Sequence, residues 1–116
     1  MEVAYVISPY RGIDGDYGKN EQYALKAAGY LISQGFIPVV PHLYLPRILD
    51  DNDKEQRKRA LQCGLKLLEK CDFAIVFSDL GISEGMRKEL EHCKKLKKPF
   101  VIYKFQKRKE NAYAYL

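Results

Sequence analysis

The chain has 116 residues, 47% of them hydrophobic, and a formal net charge of +5. A chain of this length is expected to form one domain that buries roughly two-thirds of its unfolded surface without disulfides or metals. Its apolar runs fall far short of the roughly 20 residues that span a membrane, and the N-terminus enters a strand rather than a signal peptide. We therefore expect a cytoplasmic protein that does not contact a membrane.

The three cysteines, Cys63, Cys71 and Cys93, lie within or beside apolar runs and lack the paired spacing of a metal site. Such residues usually behave as small core side chains in a reducing compartment. We therefore expect free thiols, no metal and no other cofactor.

The positive charge is concentrated late in the chain, at residues 94–98 and 104–109. Lysine is favourable at a helix C-terminus, so a solvated helix end explains the first run. The alternative is attraction of an anionic ligand or a nucleic acid. A net charge this small does not favour nucleic acid as the partner.

Short apolar runs alternate with segments of helical periodicity. The runs are rich in Val, Ile and Phe, which favours strands. Asn20, Asp53 and Ser83 are predicted helix N-caps, and Gly35 is predicted to end the first helix. The predicted elements are strands at residues 3–7, 36–40, 73–77 and 100–103 and helices at residues 20–34, 53–70 and 83–97.

Pro38 lies inside the second strand, which predicts an edge position because proline cannot donate to a ladder on both sides.

The loop at residues 41–53 is longer than most connections of its kind, and such loops are usually functional or disordered. Its Leu, Tyr and Ile content argues against disorder. Asp53 and Gln56 have the spacing of a capping box. The side chains at helical spacing in the first two helices are Ala24, Ala27, Ala28, Leu31 and Ile32, then Ala60, Leu61, Leu65 and Leu68.

Strands that are continuous apolar runs and alternate with helices predict an α/β fold: a three-layer, doubly wound parallel sheet of the flavodoxin or Rossmann-like kind. Right-handed crossovers favour the strand order 2-1-3-4. The topological switch then lies between the first and third strands, where ligands bind in such sheets. This order places residues 8–12 opposite residues 78–89 across the crevice.

Glu89 is the unusual carboxylate of the last helix. Winding residues 83–97 at about 100° per residue places Met86, Leu90, Cys93 and Leu96 on one apolar stripe, and Glu89 falls inside it. Glu84, Lys88, Glu91 and Lys95 point away from the stripe. Glu89 is therefore a candidate site residue, and the alternative is that it lies at the edge of the stripe and reaches water or a lysine.

Several other residues near the predicted crevice have chemistry suited to binding a ligand. Arg11 is able to clamp a phosphate bidentately, and the helix start at residues 83–85 offers N–H groups to the same anion. The alternatives are a surface arginine and an ordinary helix cap. The side chains of Tyr5, Tyr10 and Tyr44 are candidates for stacking on a base or for lining the crevice, and His42 is a candidate loop hydrogen-bonder or catalyst.

Six segments of the chain together resemble a group of uncharacterised bacterial and phage proteins. That group in turn resembles the superfamily of nucleoside 2-deoxyribosyltransferases and 2'-deoxynucleoside 5'-monophosphate N-hydrolases. The segments are residues 5–12, 41–44, 49–53, 64–72, 82–90 and 98–99. The resemblance implies a single nucleoside 2-deoxyribosyltransferase-like domain at residues 1–116, with a small nucleoside or nucleotide as its partner.

The resemblance also implies roles for particular residues. A Gly-x-x-x-Glu motif supplies the nucleophile in those enzymes, and Gly85 and Glu89 match it. The loop after the first strand surrounds the sugar or phosphate there, and Arg11 is similar to the hydrolases' loop arginine. The implied substrate-binding residues are Ser8, Pro9, Tyr10, Arg11, Gly12, His42, Ser83, Gly85 and Met86.

One position departs from the enzymes' pattern. They carry an Asp that helps to protonate the leaving base eight residues before the Asp that opens the third strand, and Gly64 stands at that place here. Either another acid substitutes, with Asp50, Asp51 and Asp79 as the candidates, or the chemistry has been lost. We take Glu89 and Asp79 as the candidate catalytic residues.

Two interpretations follow. The first is an N-glycosidase or deoxyribosyltransferase-like enzyme that uses Glu89 as nucleophile, and the second is a catalytically inactive nucleotide-binding or sensing module on the same fold. The related enzymes are oligomers, so we also expect a homodimer or a higher homo-oligomer. The loop at residues 41–53 and the tail's Tyr113 and Tyr115 supply apolar and aromatic material for its contacts.

Overall fold

The computed structural model describes residues 1–10 and 17–106. Arg11, Gly12, Tyr113 and Tyr115, which carry the predictions on phosphate binding and on tail contacts, lie outside these residues. The strands are β1 at Val3–Ile7, β2 at Ile37–Val39, β3 at Phe73–Phe77 and β4 at Phe100–Tyr103; the helices are α1 at Tyr17–Ser33, α2 at Leu45–Ile48, α3 at Lys54–Lys70 and α4 at Glu84–Leu96. Within the described residues, no helix is long and apolar enough to cross a bilayer.

The four strands form a parallel sheet in the order β2-β1-β3-β4, which confirms the predicted fold and strand order. Tyr5 of β1 is paired with Val39 on one side and with Ala74 on the other, so β1 and β3 form the centre of the sheet. Pro38 lies in the edge strand β2, as predicted from its missing N–H.

The alternation of side chains along the strands divides the core between the two faces of the sheet. Ala4 and Val6 of β1 pack with α1 on one face. Tyr5 and Ile7 point to the opposite face, where they pack with residues of α3 and α4. Four aromatic side chains, Tyr30, Phe77, Tyr103 and Phe105, extend the α1 face toward β4.

The first helix differs from the prediction at its start. It begins at Tyr17 rather than after an Asn20 cap. Asn20 is a buried residue of the first helical turn, and its side-chain amide donates to the carbonyl of Tyr10 over 2.6 Å. Ile32 is exposed although it follows the buried Leu31, so it lies outside the stripe of α1 that packs on the sheet. Gly35 ends the helical segment with a φ of +88°, a conformation in which a β-carbon would be strained.

The loop at residues 41–53 contains more regular structure than predicted. A 3-10 turn covers Pro41–Leu43, and the short helix α2 follows at once. Asp53 then caps α3 as predicted, accepting hydrogen bonds from the backbone N–H groups of Glu55 and Gln56. The Gln56 side chain accepts from the N–H of Asp50 rather than from that of the cap residue, so it closes the loop back onto the helix.

Asp79, in the turn after β3, ties this turn to the chain that follows β4. Its Oδ1 accepts from the Tyr23 hydroxyl at 2.5 Å and from the Phe105 N–H at 2.9 Å, and its Oδ2 accepts from the Gln106 N–H at 2.9 Å. The Tyr23 hydroxyl in turn accepts from the Asp79 N–H. Burial by itself would raise the pKa of Asp79, but these hydrogen bonds lower it below its usual value. The group therefore acts as a structural clamp.

We predict that Tyr23→Phe lowers the free energy of unfolding by about 1–3 kcal/mol, because it leaves the Asp79 N–H and part of the carboxylate without a partner. Denaturation by urea measures the change. Tyr44→Phe removes a hydroxyl from an exposed tyrosine, and we expect it to change stability by less than about 0.5 kcal/mol. Similar losses for the two variants would contradict the clamp.

Candidate active site

A cavity of about 260 Å³ opens at the carboxyl end of β1, on the face covered by α3 and α4. Its walls come from the 3-10 turn, α2, the loop before α3, one side of α3 and the first turns of α4. The crevice of an open parallel sheet lies at this place.

Glu89 lies at the floor of the cavity. Ser83 caps α4, since its Oγ accepts from the N–H of Met86, and this fixes the helix so that the next turn carries Glu89 toward β1. Its side chain is buried, and the residue is only 5% exposed. The hydroxyl of Tyr5 donates a hydrogen bond to its Oε2. The periodicity of the sequence predicted this burial.

The surroundings of this pair shift both pKa values upward. Burial raises the pKa of Glu89 to about 7, although the hydrogen bond from Tyr5 partly opposes the shift. Burial and the adjacent carboxylate raise the pKa of Tyr5 above its usual range. The Tyr5 hydroxyl therefore remains a donor, while the Glu89 carboxyl changes its charge near neutral pH. Such a group in a cavity is a candidate for catalysis.

Gly64 of α3 faces the same hydroxyl. A β-carbon built on Gly64 would lie 2.9 Å from the oxygen of Tyr5, closer than real β-carbons come to other atoms. The Tyr5 ring is fully buried in β1, so it has little room to move away. Glycine at position 64 is therefore what allows α3 to lie against the hydrogen-bonded pair of Tyr5 and Glu89.

His42 contributes an imidazole to the cavity wall. Burial lowers its pKa to about 4, and this shift is only partly opposed by a hydrogen bond to the backbone of Ser8 and by the nearby carboxylate of Asp51. The ring is therefore neutral at physiological pH. Its Nδ1 is buried and has no hydrogen-bond partner among the described residues. A buried polar atom of this kind often marks a ligand or water position.

Asp51 and Arg57 lie at another part of the wall. The Arg57 Nε is 3.8 Å from the Asp51 Oδ1, which is longer than a hydrogen bond. The Asp51 side chain is 16% exposed, whereas that of Arg57 is 59% exposed at the cavity mouth. This places a carboxylate and a guanidinium side by side in the wall.

The structure brings together several of the residues that the sequence singled out. Tyr10, His42, Ser83 and Gly85 line the cavity with Glu89, and Met86 lies beneath it in the core. Ser8 and Pro9 are buried at the end of β1, and Pro9 lines a smaller adjoining cavity of about 190 Å³. Asp79 is not in the wall of the larger cavity, because its carboxylate is held by the clamp described above.

Of the three candidate acids, Asp51 is in the cavity wall and Asp50 is exposed outside it. Arg57 was not singled out from the sequence. Tyr5 was considered for stacking on a base or for lining the crevice, but not as a hydrogen-bond donor to Glu89. The spacing of residues 57, 60, 61 and 64 along one side of α3 was the available signal for Arg57, since positions three, four and seven apart share a helix face.

A solved structure of similar fold indicates the fold class of this protein. The structure is similar to that of the 2-deoxyribosyltransferase from the psychrotolerant bacterium Bacillus psychrosaccharolyticus, described as a suitable biocatalyst for the industrial synthesis of antiviral and antitumoral nucleosides. The TM-score is 0.72 at 18% sequence identity, over 91% of this chain and 74% of that enzyme. The likeness establishes a deoxyribosyltransferase-like α/β fold.

The family follows from the sequence. The family model described as Domain of unknown function (DUF7768) matches residues 2–103, and the chain belongs to this family. No curated protein matches the chain in sequence.

We predict that Glu89→Gln stabilises the protein, and more so at higher pH. Below a pH of about 4.5 the carboxyl is protonated in both the folded and the unfolded chain, so burial carries no charge penalty. Stability is then lost between about 4.5 and 7, as the unfolded chain ionises before the folded one. The full difference is on the order of 3 kcal/mol. It is measured by urea denaturation at pH 4.5 and pH 8, with Glu91→Gln on the exposed side of α4 as control. A gain that does not depend on pH would contradict it.

We also predict that Gly64→Ala destabilises the protein through Tyr5. The added methyl group would overpack the Tyr5 hydroxyl and cost about 1–3 kcal/mol. In a Tyr5→Phe background the oxygen is gone, so the same substitution should cost less, with a coupling of about 1 kcal/mol or more. Chemical denaturation of the two single variants and the double variant gives the coupling.

Gly29→Ala is the control, because a β-carbon at Gly29 meets no atom within 4 Å. It should not destabilise α1, since alanine is the better helix former. An equal cost of Gly64→Ala in both backgrounds would show that the hydroxyl is not the obstacle.

Proposed function

We propose that this protein cleaves or exchanges the N-glycosidic bond of a (deoxy)nucleoside or its monophosphate, with Glu89 as the nucleophile. The observation that carries the proposal is a buried carboxylate at a cavity floor, held by a tyrosine hydroxyl and with a pKa near 7. The fold likeness to a nucleoside-processing enzyme supports the substrate class.

The chemistry needs one carboxylate on the anomeric carbon. An oxygen of Glu89 attacks C1' of the sugar as the bond from C1' to the base nitrogen breaks, and the base leaves with the bonding electrons. Water, or a second base in a transfer reaction, then displaces the carboxylate from C1' and restores it. The sugar passes through an oxocarbenium-like state that a nearby negative charge stabilises.

Tyr5 holds the nucleophile in position. Because Oε2 accepts from the Tyr5 hydroxyl, we assign the attack to Oε1. The attack requires the ionised carboxylate, and burial raises the pKa of Glu89 to about 7. The rate of the first step should therefore rise as the pH increases through 7. The start of α4 at Ser83 and Gly85 offers backbone N–H groups to a 5'-phosphate on the sugar.

The departing base needs a group that accepts or offsets its negative charge. Gly64 has no side chain to do this, and Asp79 is occupied in its clamp. In the described part of the cavity wall, Arg57 is a cation able to donate hydrogen bonds to acceptor atoms of the base. A guanidinium stabilises charge in this way without transferring a proton. Base release should therefore be slower than in an enzyme with a carboxylic acid at this place.

The second candidate is a nucleotide-binding or sensing module without turnover. A specific observation favours it: the close approach of Tyr5 to Gly64 fills the place where the related enzymes carry their acid. The same cavity would then bind a nucleoside or nucleotide and leave its glycosidic bond intact.

We predict slow release of free base from at least one deoxynucleoside or deoxynucleoside monophosphate. Chromatography measures free base during long incubations of the wild-type protein with a substrate panel. Glu89→Ala should reduce release at least about 100-fold, since it removes the nucleophile. Tyr5→Phe should raise the apparent pKa of the reaction's rise with pH, because the hydrogen bond from Tyr5 lowers the pKa of Glu89. Glu91→Ala, on the same helix but outside the cavity, should retain the activity.

Binding of the nucleotide without any base release, in the wild-type protein, would support the module instead. Release that survives Glu89→Ala would come from another group or from a contaminant and would exclude Glu89 as nucleophile.

A further inference from the structure

We infer that Asp51 and Arg57 form a base-reading pair that selects guanine. The inference rests on the proposed function, because it names the base of the nucleoside or nucleotide that the cavity takes. The juxtaposition that carries it is an acceptor and a donor placed next to each other in the cavity wall.

The position of the pair fits the far edge of a base. Gly64 faces the hydrogen-bonded pair of Tyr5 and Glu89, and Arg57 lies seven residues earlier on the same side of α3. Seven residues of helix rise about 10 Å. We place the sugar with its C1' at Glu89 and the base along α3, which brings the edge opposite the glycosidic bond near Asp51 and Arg57.

Between the two ends the wall is mainly apolar. Ala60 and Leu61 of α3 line this part of the cavity, and Leu45 and Leu49 face it from the preceding segment. Such side chains contact the flat faces of a base but do not distinguish one base from another. Selection by hydrogen bonds therefore falls to the polar groups of the wall, among which Asp51 and Arg57 are an adjacent acceptor and donor.

The chemistry of the two groups matches guanine best. The edge of guanine opposite its sugar presents two neighbouring donors, the N1–H and the 2-amino group, beside the O6 acceptor. A carboxylate has two oxygens to accept from the two donors, and a guanidinium donates to O6 and N7. Adenine carries an amino group where guanine carries O6, and it would set a donor against Arg57. Hypoxanthine keeps O6 but lacks the 2-amino group.

The spacing within the pair leaves room for this role. At 3.8 Å the two groups attract each other without a direct hydrogen bond. Asp51 therefore orients the guanidinium, and the N–H groups of Arg57 remain able to turn toward a ligand. The carboxylate is the more buried of the two. Discrimination by hydrogen bonding is strongest where competing water is excluded.

Calorimetric titration of the wild-type protein with the 2'-deoxynucleosides and 5'-monophosphates of guanine, hypoxanthine, adenine, cytosine and thymine tests the inference. We expect the guanine compounds to bind at least about tenfold more tightly than the hypoxanthine compounds, which lack one donor to Asp51. Asp51→Asn should remove that difference, and Arg57→Gln should weaken guanine binding by a similar factor.

Asp50→Asn and Arg59→Gln make the same chemical changes on exposed neighbours outside the cavity wall, and both should keep the preference. Thermal unfolding establishes that each variant is folded; if Asp51→Asn is not, the exposed Arg57→Gln and the guanine-to-hypoxanthine ratio decide. Binding of several nucleotides without preference for guanine, or a preference that survives both cavity variants, overturns the inference and leaves the proposed function standing. Failure of every nucleoside and nucleotide to bind overturns the proposed function itself.

Discussion

The hydrogen bond between Tyr5 and Glu89 is the constraint on which the cavity depends. An ionised carboxylate buried without a partner would be costly, and the tyrosine hydroxyl supplies a donor from the centre of the sheet. The two residues are 84 positions apart in the sequence, so the bond forms only when β1 and α4 are correctly placed relative to each other. It also requires a glycine at position 64, because α3 packs against the same hydroxyl. Three elements thus meet at one oxygen atom.

Much of the fold was predictable because its signals are local. The central strands are buried on both faces, so their sequences are continuous apolar runs, and three of the four strands have the predicted bounds. The caps at Asp53 and Ser83 were predictable for the same reason, since a cap needs only its own side chain and the next turn. The start of α1 was not, because the Asn20 side chain bonds a carbonyl ten residues earlier instead of its own helix.

The inward position of Glu89 was predictable because it follows a helical period. Glu89 shares a stripe with Met86 and Cys93, and this periodicity is enough to indicate an inward side chain. The alternation of side chains along β1 predicts that Tyr5 is a core residue. That pattern does not indicate its hydrogen-bond partner on α4. Asp79 follows a central strand, where a ligand-binding carboxylate is common, but Tyr23 and two backbone N–H groups turn it to another use. The positions of Tyr5 and Asp79 therefore depend on contacts between segments that are distant in sequence, which local patterns do not indicate.

Gly64 connects the packing of the protein with its chemistry. With the backbone where it is, a carboxylic acid at this position would need the Tyr5 hydroxyl to move, and that movement would take away the donor that holds Glu89. The Tyr5 hydroxyl that holds Glu89 and an acid on this turn of α3 would therefore compete for the same space. In the proposed reaction, stabilisation of a departing base would have to come from farther along the cavity wall, which Asp51 and Arg57 also line. Groups at that distance would contact the outer edge of a base rather than its glycosidic nitrogen, so under the proposed function the help given to the leaving base and the choice of base would fall to the same pair of side chains.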